Sequence, residues 1–291
     1  MRLTKERKYG YQKVDNFEDS SAREFYERAF YSQEKPEYLV KSHKENDYWE
    51  KIWKIRLNLM EQNLGAKGRI LDVGASGGFF LGTAQKQGWG IEGIEPSSRA
   101  IEYAKNKFGI KLKQGLLQDY TKIESRYNAM HLAFVLEHMH NPESVMNQVF
   151  KMLKPNGVCW VEVPNDFNLL QRTITKQLKH KEWWIVAKHH VNYFNYDSLS
   201  KLLTGVGFEE LDRMASFPVE LFALMGKDYI EDNKVGIEIH KMRMNMEINI
   251  INEDPDILLN MYRSFAMSGI GRTCNFLVRK PRSLSENSDP R

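Results

Sequence analysis

The sequence predicts an α/β fold in which a mostly parallel sheet is covered on both faces by helices. Strand-like and helix-like patterns alternate from residue 69 to about residue 215. The run 70–81 has the pattern of a short apolar strand, a turn of small residues and the start of a helix. A second strand ends in Glu95, roughly twenty residues after Asp72 near the end of the first, and strand-end acids at this separation are typical of an adenosine-binding crevice.

Each element follows from its own pattern of apolar residues and from the residues that break it. Strands are expected near residues 69–73, 91–94, 110–113, 128–134, 157–163 and 208–216. Helices are expected near residues 79–87, 97–107, 143–153 and 197–205. Residues 17–64 have an aromatic-rich helical pattern that Pro36 divides, because proline lacks a donor and clashes inside a helix. Two more helical patterns lie near 234–249 and 255–267.

The turn after the first strand excludes two common phosphate-binding loops. A dinucleotide fingerprint requires Gly-x-Gly-x-x-Gly, but Ser76 and Phe79 stand where the second and third glycines belong. No lysine follows the glycines as a Walker A loop requires. An enzyme that depends on NAD is therefore disfavoured, although the small residues still let a ligand approach the backbone closely.

The turn resembles motif I of the class I S-adenosylmethionine-dependent methyltransferases, acid-x-Gly-x-Gly-x-Gly. Asp72, Gly74 and Gly78 match this motif, and Ser76 replaces its central glycine. Later segments resemble the family's other motifs in the family's order: Glu95-Pro96-Ser97, 114–120, 127–138 and 153–164. The resemblance implies a seven-stranded, Rossmann-like sheet whose last strand, near 271–280, runs antiparallel to the others.

The resemblance also implies the cofactor S-adenosyl-L-methionine and the residues that bind it. Asp72, Gly74, Ser76 and Gly78, together with Ala75, are expected to hold its amino-acid end, and Glu95 its ribose. The adenine is assigned to Pro96 and the turn that contains Leu116 and Leu117, and the methionine portion to Phe134.

The catalytic candidates lie in the segment 188–194, which resembles a His-x-x-Tyr/His-Phe element in a methyltransferase subgroup that acts on sugars and other small molecules. His190 is expected to be the general base, with His189 and Tyr193 beside it; the alternative is that His190 only organises the loop. The pair Glu137-His138 resembles a pair in ubiquinone-pathway O-methyltransferases. His138 and His140 lack the i, i+4 spacing of paired ligands on a helix, so no metal site is expected.

The predicted domains are a core with two additions. Residues 1–49 are expected to form an aromatic-rich helical cap, 50–216 plus 269–282 the methyltransferase core, 217–268 a helical insertion over the acceptor side, and 283–291 a disordered tail. A few aromatic residues of the cap, among them Tyr9, Tyr11 or Tyr31, are expected to reach the active site.

The additions resemble those of bacterial methyltransferases from surface-polysaccharide and nucleotide-sugar pathways. The resemblance implies methyl transfer to a small-molecule acceptor, expected to be a hydroxyl of a sugar or nucleotide-sugar, and a role in polysaccharide biosynthesis. Two alternatives stay open: methylation of a nucleic-acid base or protein side chain, and a catalytically silent cofactor-binding subunit.

Composition limits the remaining classes of function. The net charge of +4 over 291 residues comes from scattered basic residues without a basic stripe, so nucleic acid is not an expected partner. Both cysteines lie in apolar runs, and the N-terminus lacks the apolar core of a signal peptide, which favours a cytoplasmic protein. No apolar run reaches the length of about eighteen residues that a membrane span needs. An oligomer is possible.

Overall fold

The computed structural model describes residues 2–15, 30–31, 35–186 and 190–282 of the chain. Most of the first predicted cap helix, the residue His189 and the predicted tail 283–291 lie outside the described residues.

The central sheet has seven strands in the spatial order β5-β4-β3-β6-β7-β10-β9. The strands are β3 (Arg69–Val73), β4 (Gly90–Glu95), β5 (Lys113–Gln114), β6 (Tyr127–Ala133), β7 (Leu153–Pro164), β9 (Glu209–Ala215) and β10 (Thr273–Arg279). The pairs among β3 to β7 are parallel, whereas β10 runs antiparallel to both β7 and β9. This topology confirms the predicted fold class. The strand expected at 110–113 is shorter and lies slightly later, at 113–114.

Helices pack on both faces of the sheet, and long connections place further helices above its carboxyl edge. They are α1 (Tyr38–Lys44), α2 (Asn46–Leu64), α3 (Phe79–Lys86), α4 (Ser98–Phe108), α5 (Pro142–Met152), α6 (Leu169–Gln177), α7 (Tyr196–Val206), α8 (Glu220–Leu224), α9 (Asn233–Glu253) and α10 (Pro255–Met267). No helix in the described part of the chain combines the length and the apolar character that a membrane crossing requires.

The N-terminal arm is a strand pair. Strands β1 (Leu3–Lys5) and β2 (Gln12–Val14) form a hairpin, and β2 pairs with β8 (Asn192–Tyr193). Tyr9 and Tyr11 are buried in the apolar core, and the ring of Tyr11 lies 4.8 Å from that of Phe194. The arm therefore stabilises the segment that contains His190, while these two tyrosines pack in the core.

The parallel strands bring four side chains to one edge of the molecule. Asp72, Glu95 and Glu162 lie at or near the carboxyl ends of β3, β4 and β7, and Phe134 directly follows β6. Because ligands of open α/β sheets bind outside these strand ends, this edge is where a site is expected.

Candidate active site

The turn between β3 and α3 contains three residues whose backbone is in the left-handed conformation. Gly74, Ser76 and Gly78 have φ values of 73°, 50° and 77°. The backbone N–H groups of Gly74 and Ala75 both donate to the carbonyl oxygen of Ile94, at 2.9 and 3.0 Å. A Cβ on Gly78 would lie 3.0 Å from the Cβ of Ala104, so glycine also allows the helix packing behind the turn.

Ser76 adopts the left-handed conformation without being a glycine, and its neighbours stabilise it there. Its N–H donates to Oε2 of Glu95 at 2.8 Å, and its Oγ accepts a hydrogen bond from Tyr31 at 2.9 Å. Of the three tyrosines expected to approach the site, Tyr31 therefore contacts the glycine turn.

Glu95 lies beneath this turn and is only 3 % exposed. Its Oε1 accepts from the N–H of Ser97 at 2.9 Å, so both carboxylate oxygens bind backbone groups. Burial raises the pKa of Glu95 to about 7, although these two N–H groups oppose the shift.

The residues expected at the adenine lie at the neighbouring strand ends. The carbonyl oxygen of Pro96 accepts a hydrogen bond from the Gln114 side chain at 3.3 Å. Leu116 begins a short 3-10 turn, and Leu117 is buried in the core. None of these three residues is among the described residues that line the two cavities below.

A cavity of about 670 Å³ opens beside the glycine turn, and we call it the loop cavity. It brings together five residues of the predicted cofactor set: Asp72, Gly74, Ala75, Ser76 and Phe134. Helices α1 and α2 contribute aromatic walls to it through Tyr38, Trp49 and Trp53.

A second cavity of about 340 Å³, the inner cavity, lies between α2, the helices α9 and α10, and the strands β7 and β10. Its walls are mainly apolar and aromatic, and they also carry a few charged side chains. The aromatic residues are Tyr48, Trp49, Phe134, Trp160, Phe217, Tyr229 and Tyr262, and the charged ones include Arg56, Glu162, Arg243 and Arg272.

The two cavities share a wall. Trp49, Arg56, Phe134, Glu162 and His240 line both of them. Phe134 has a left-handed backbone, with φ 57°, and is 47 % exposed. The two cavities therefore adjoin at this wall, which we call the junction.

A buried chain of polar side chains runs from the glycine turn to the junction. Oδ1 of Asp72 lies 2.7 Å from Nδ1 of His131, and Nε2 of His131 lies 3.3 Å from Nη1 of Arg56. The same Nη1 lies 2.6 Å from Oε2 of Glu162. Since the Arg56 guanidinium can only donate, Nε2 of His131 accepts from it, and Nδ1 is left to donate to Asp72.

Sequence reasoning missed Arg56, His131, Glu162 and His240. A signal was present for three of them, because Arg56 interrupts an apolar helix face while His131 and Glu162 interrupt buried strands. Polar residues that are almost fully buried need partners, so such positions indicate a network. His240 lies in the insertion, and no local pattern indicated that it would reach the junction.

His190 and Tyr193 lie close to each other and to His138. The ring of His190 is 5.0 Å from that of His138 and 6.2 Å from that of Tyr193. Glu137, His138 and His190 bring a carboxylate and two imidazoles within 4.8 Å of one another. Neither His190 nor Tyr193 is among the described residues that line the two cavities, and their catalytic role stays a prediction.

Comparisons with known proteins identify the family of the chain. The sequence profile of the methyltransferase domain family matches residues 45–212. The chain is 27 % identical over 143 residues to a ubiquinone biosynthesis O-methyltransferase of Coxiella burnetii, covering 47 % of this chain and 57 % of that protein. It thus spans little more than half the length of this curated relative.

Solved structures share the fold at low sequence identity. A SAM-dependent methyltransferase from Archaeoglobus fulgidus superposes with a TM-score of 0.52 at 16 % identity, over 81 % of this chain and 97 % of that one. A plantazolicin methyltransferase in complex with SAH superposes with a TM-score of 0.56 at 15 % identity, over 91 % and 95 %. The family match covers more than half of the chain. We conclude that this chain belongs to the methyltransferase domain family.

Proposed function

We propose that the protein transfers a methyl group from S-adenosyl-L-methionine to a hydroxyl of a small-molecule acceptor. One observation carries the proposal: a cavity beside a left-handed glycine turn shares a wall with a second cavity that is large enough for a small molecule. Family membership and the SAH bound to the plantazolicin methyltransferase support the cofactor. The name of the Coxiella relative supports an oxygen acceptor.

In this proposal the loop cavity holds the amino-acid end and the methionine portion of the cofactor. Asp72, Ala75 and Ser76 line the cavity where that end would bind, and Gly74 and Gly78 shape the turn. Glu95 would accept hydrogen bonds from the ribose, with Pro96, Leu116 and Leu117 at the adenine. Glu95 is buried beneath Ser76, so its remaining lone pairs would have to become accessible before the ribose could bind to them.

The acceptor would bind in the inner cavity. Transfer from a sulfonium requires mainly that the acceptor oxygen, the methyl carbon and the sulfur be aligned, which supplies roughly 7–11 kcal/mol of barrier reduction. In this proposal the two adjoining cavities would hold the cofactor and the acceptor on either side of the junction. The proton acceptor predicted from the sequence is His190, with His189 and Tyr193 beside it.

The walls of the inner cavity favour a planar acceptor of low polarity, such as a phenol. A sugar or nucleotide-sugar, which the sequence favours, can stack on aromatic rings but presents many hydroxyls that need polar partners. Arg56, Arg243 and Arg272 already pair with Glu162, Glu247 and Glu220.

An amine acceptor is disfavoured because the aromatic faces are already occupied by cations. The guanidinium of Arg56 lies 4.9 Å from the ring centre of Trp160, and that of Arg243 lies 5.4 Å from Tyr48. A cationic acceptor would compete with these arginines for the same faces.

The test combines binding with turnover. Calorimetry should show binding of S-adenosylmethionine to the full chain, and an assay for S-adenosylhomocysteine should detect its release with catechol or 3,4-dihydroxybenzoate. UDP-glucose and other nucleotide-sugars form the second arm, and RNA and a protein extract the third. Cofactor binding without turnover in any arm would instead indicate a silent subunit, and absence of binding would reject the proposal.

A further inference from the structure

Glu162 occupies an unusual position for a carboxylate. It lies within strand β7 between Val161 and Val163, both fully buried, and is itself only 4 % exposed. A charge in the middle of a buried strand is costly unless it is paired. Glu162 lines both cavities and is the one carboxylate among the described residues that does so.

Its partner, Arg56, is held from three sides. Nη1 of Arg56 contacts Oε2 of Glu162 at 2.6 Å and Nε2 of His131 at 3.3 Å, and the guanidinium covers the ring of Trp160. His131 is in turn fixed by Asp72 and by stacking on Phe80, with ring centres 3.8 Å apart. This network fixes the carboxylate of Glu162 at the junction, because the side chains that hold it are themselves buried and oriented.

We propose that Glu162 faces the transferring methyl group, binds the reacting hydroxyl of the acceptor and accepts its proton. Arg56 is a positioning residue that holds the carboxylate in place. This inference rests on the proposed function, and it names a proton acceptor other than His190. Glu162 lines the wall that the methyl group crosses, whereas His190 is not among the described residues that line either cavity.

A lone pair of the acceptor oxygen forms the new O–C bond to the methyl carbon, and the electron pair of the breaking C–S bond stays on sulfur, which becomes a neutral thioether. The hydroxyl proton passes to the carboxylate of Glu162 and from there to water. No oxidant, reductant or metal takes part in the step.

Sinefungin tests the position of Glu162 without knowledge of the acceptor. This cofactor analogue carries a protonated amine where the methyl group of S-adenosylmethionine lies, and S-adenosylhomocysteine carries nothing there. A carboxylate facing that point should make the wild-type protein prefer sinefungin. In Glu162→Gln we expect calorimetry to show that this preference falls by at least about tenfold, the size of one charge-assisted hydrogen bond.

Asp212→Asn is the matched control. Asp212 is also a strand carboxylate paired with an arginine, Arg263, at 3.0 Å, but it is not among the described residues that line either cavity. Its variant should keep the wild-type preference. An unchanged preference in a folded Glu162→Gln protein overturns the inference. If the wild-type protein binds neither analogue, the proposed function itself fails.

A second measurement needs only the wild-type protein, in case the Glu162 variant does not fold. A crystal structure with sinefungin should place its amine nitrogen about 3 Å from the carboxylate of Glu162. An amine that points away from Glu162 rejects the inference.

Turnover tests the proton transfer, with the acceptor that the panel identifies. Glu162→Gln should lower kcat by roughly 10²–10⁴-fold with little change in the KM for the cofactor. Arg56→Ala should lower kcat, and Arg56→Lys should partly restore it, which a merely structural role would not require. A loss of roughly 10²–10⁴-fold in His190→Gln, with Glu162→Gln close to the wild-type kcat, would assign the proton to His190 and overturn the inference.

Discussion

At the scale of single residues, Glu95 shows how burial changes the chemistry of a carboxylate. Its carboxylate is enclosed beneath Ser76, and two backbone N–H groups bind it. Burial favours the neutral form, so the pKa of Glu95 is raised from 4.5 to about 7. The contribution of this shift to the stability of the cofactor-free protein is present below pH 4.5 and is lost as the pH rises through 7.

The first prediction concerns the pH dependence of cofactor binding. Ribose hydroxyls donate more strongly to an ionised carboxylate, so S-adenosylmethionine should bind about five- to tenfold more tightly at pH 8 than at pH 6. Calorimetry at both values measures the effect, and Glu95→Gln should weaken binding at pH 8 and flatten the dependence. A pH dependence that survives in Glu95→Gln would show that another group causes it.

The second prediction separates the two roles of glycine in the turn. Gly78→Ala combines a left-handed conformation with a contact at 3.0 Å to Ala104, whereas Gly88→Ala has φ 87° and meets nothing within 4 Å. We expect Gly88→Ala to lower the free energy of unfolding by about 1–2 kcal/mol and Gly78→Ala by about 1–3 kcal/mol more. Urea unfolding of both variants measures the difference, and equal losses would mean that the helix packing adjusts at no cost.

At the scale of elements, the N-terminal hairpin shows how an added segment can stabilise a catalytic fold. The hairpin adds strands to β8 and inserts Tyr9 and Tyr11 into the core. Strand β8, to which the hairpin pairs, lies in the segment next to His190. The arm is therefore a structural element, and it is Tyr31 that contacts the glycine turn.

The third prediction follows from this packing. Tyr11→Ala should lower the free energy of unfolding by about 3 kcal/mol, because it removes a buried ring against Phe194. Its affinity for S-adenosylmethionine should stay within about twofold of wild type. Val40→Ala, at an exposed helix position, is the control and should change stability by less than about 0.5 kcal/mol. Lost cofactor binding in a folded Tyr11→Ala protein would contradict a purely structural role.

At the scale of the whole molecule, the helices α9 and α10 form one wall of the inner cavity. They are joined to α2 by a buried cluster in which Tyr48 and Tyr262 donate to Glu247, and Nη1 of Arg243 lies 3.0 Å from Oε2 of Glu247. Burial and the carboxylate raise the pKa of Tyr262 well above its usual value, so this tyrosine stays a hydrogen-bond donor. The cluster fixes the insertion on the core and thereby sets the shape of the cavity.

The fourth prediction tests this connection. Glu247→Ala leaves Arg243 buried without its carboxylate, so we expect it to lower the free energy of unfolding by about 3–5 kcal/mol. Glu238 lies in the same helix as Glu247 and forms an exposed ion pair with Lys227. Glu238→Ala should therefore lower the free energy of unfolding by less than about 1 kcal/mol. Chemical denaturation compares the two variants. Similar small losses would indicate that the insertion is held mainly by apolar contacts.

The local patterns of the sequence determined the α/β class, the order of the elements along the chain and the glycine turn. Strands such as Arg69–Val73 and turns such as Gly74–Gly78 depend on neighbouring residues, so their conformation can be predicted from spacing and residue type. The same reasoning placed the helices of the insertion close to their observed bounds, because their apolar periodicity is local.

Only the tertiary structure decided which distant side chains share a wall. Arg56, His131, Glu162 and His240 come from α2, β6, β7 and α9, and no local pattern relates them. They meet because parallel strands end at one edge and because the insertion folds back over that edge. Contacts between elements far apart in the chain arise from packing, and it is there that the junction between the two cavities is formed.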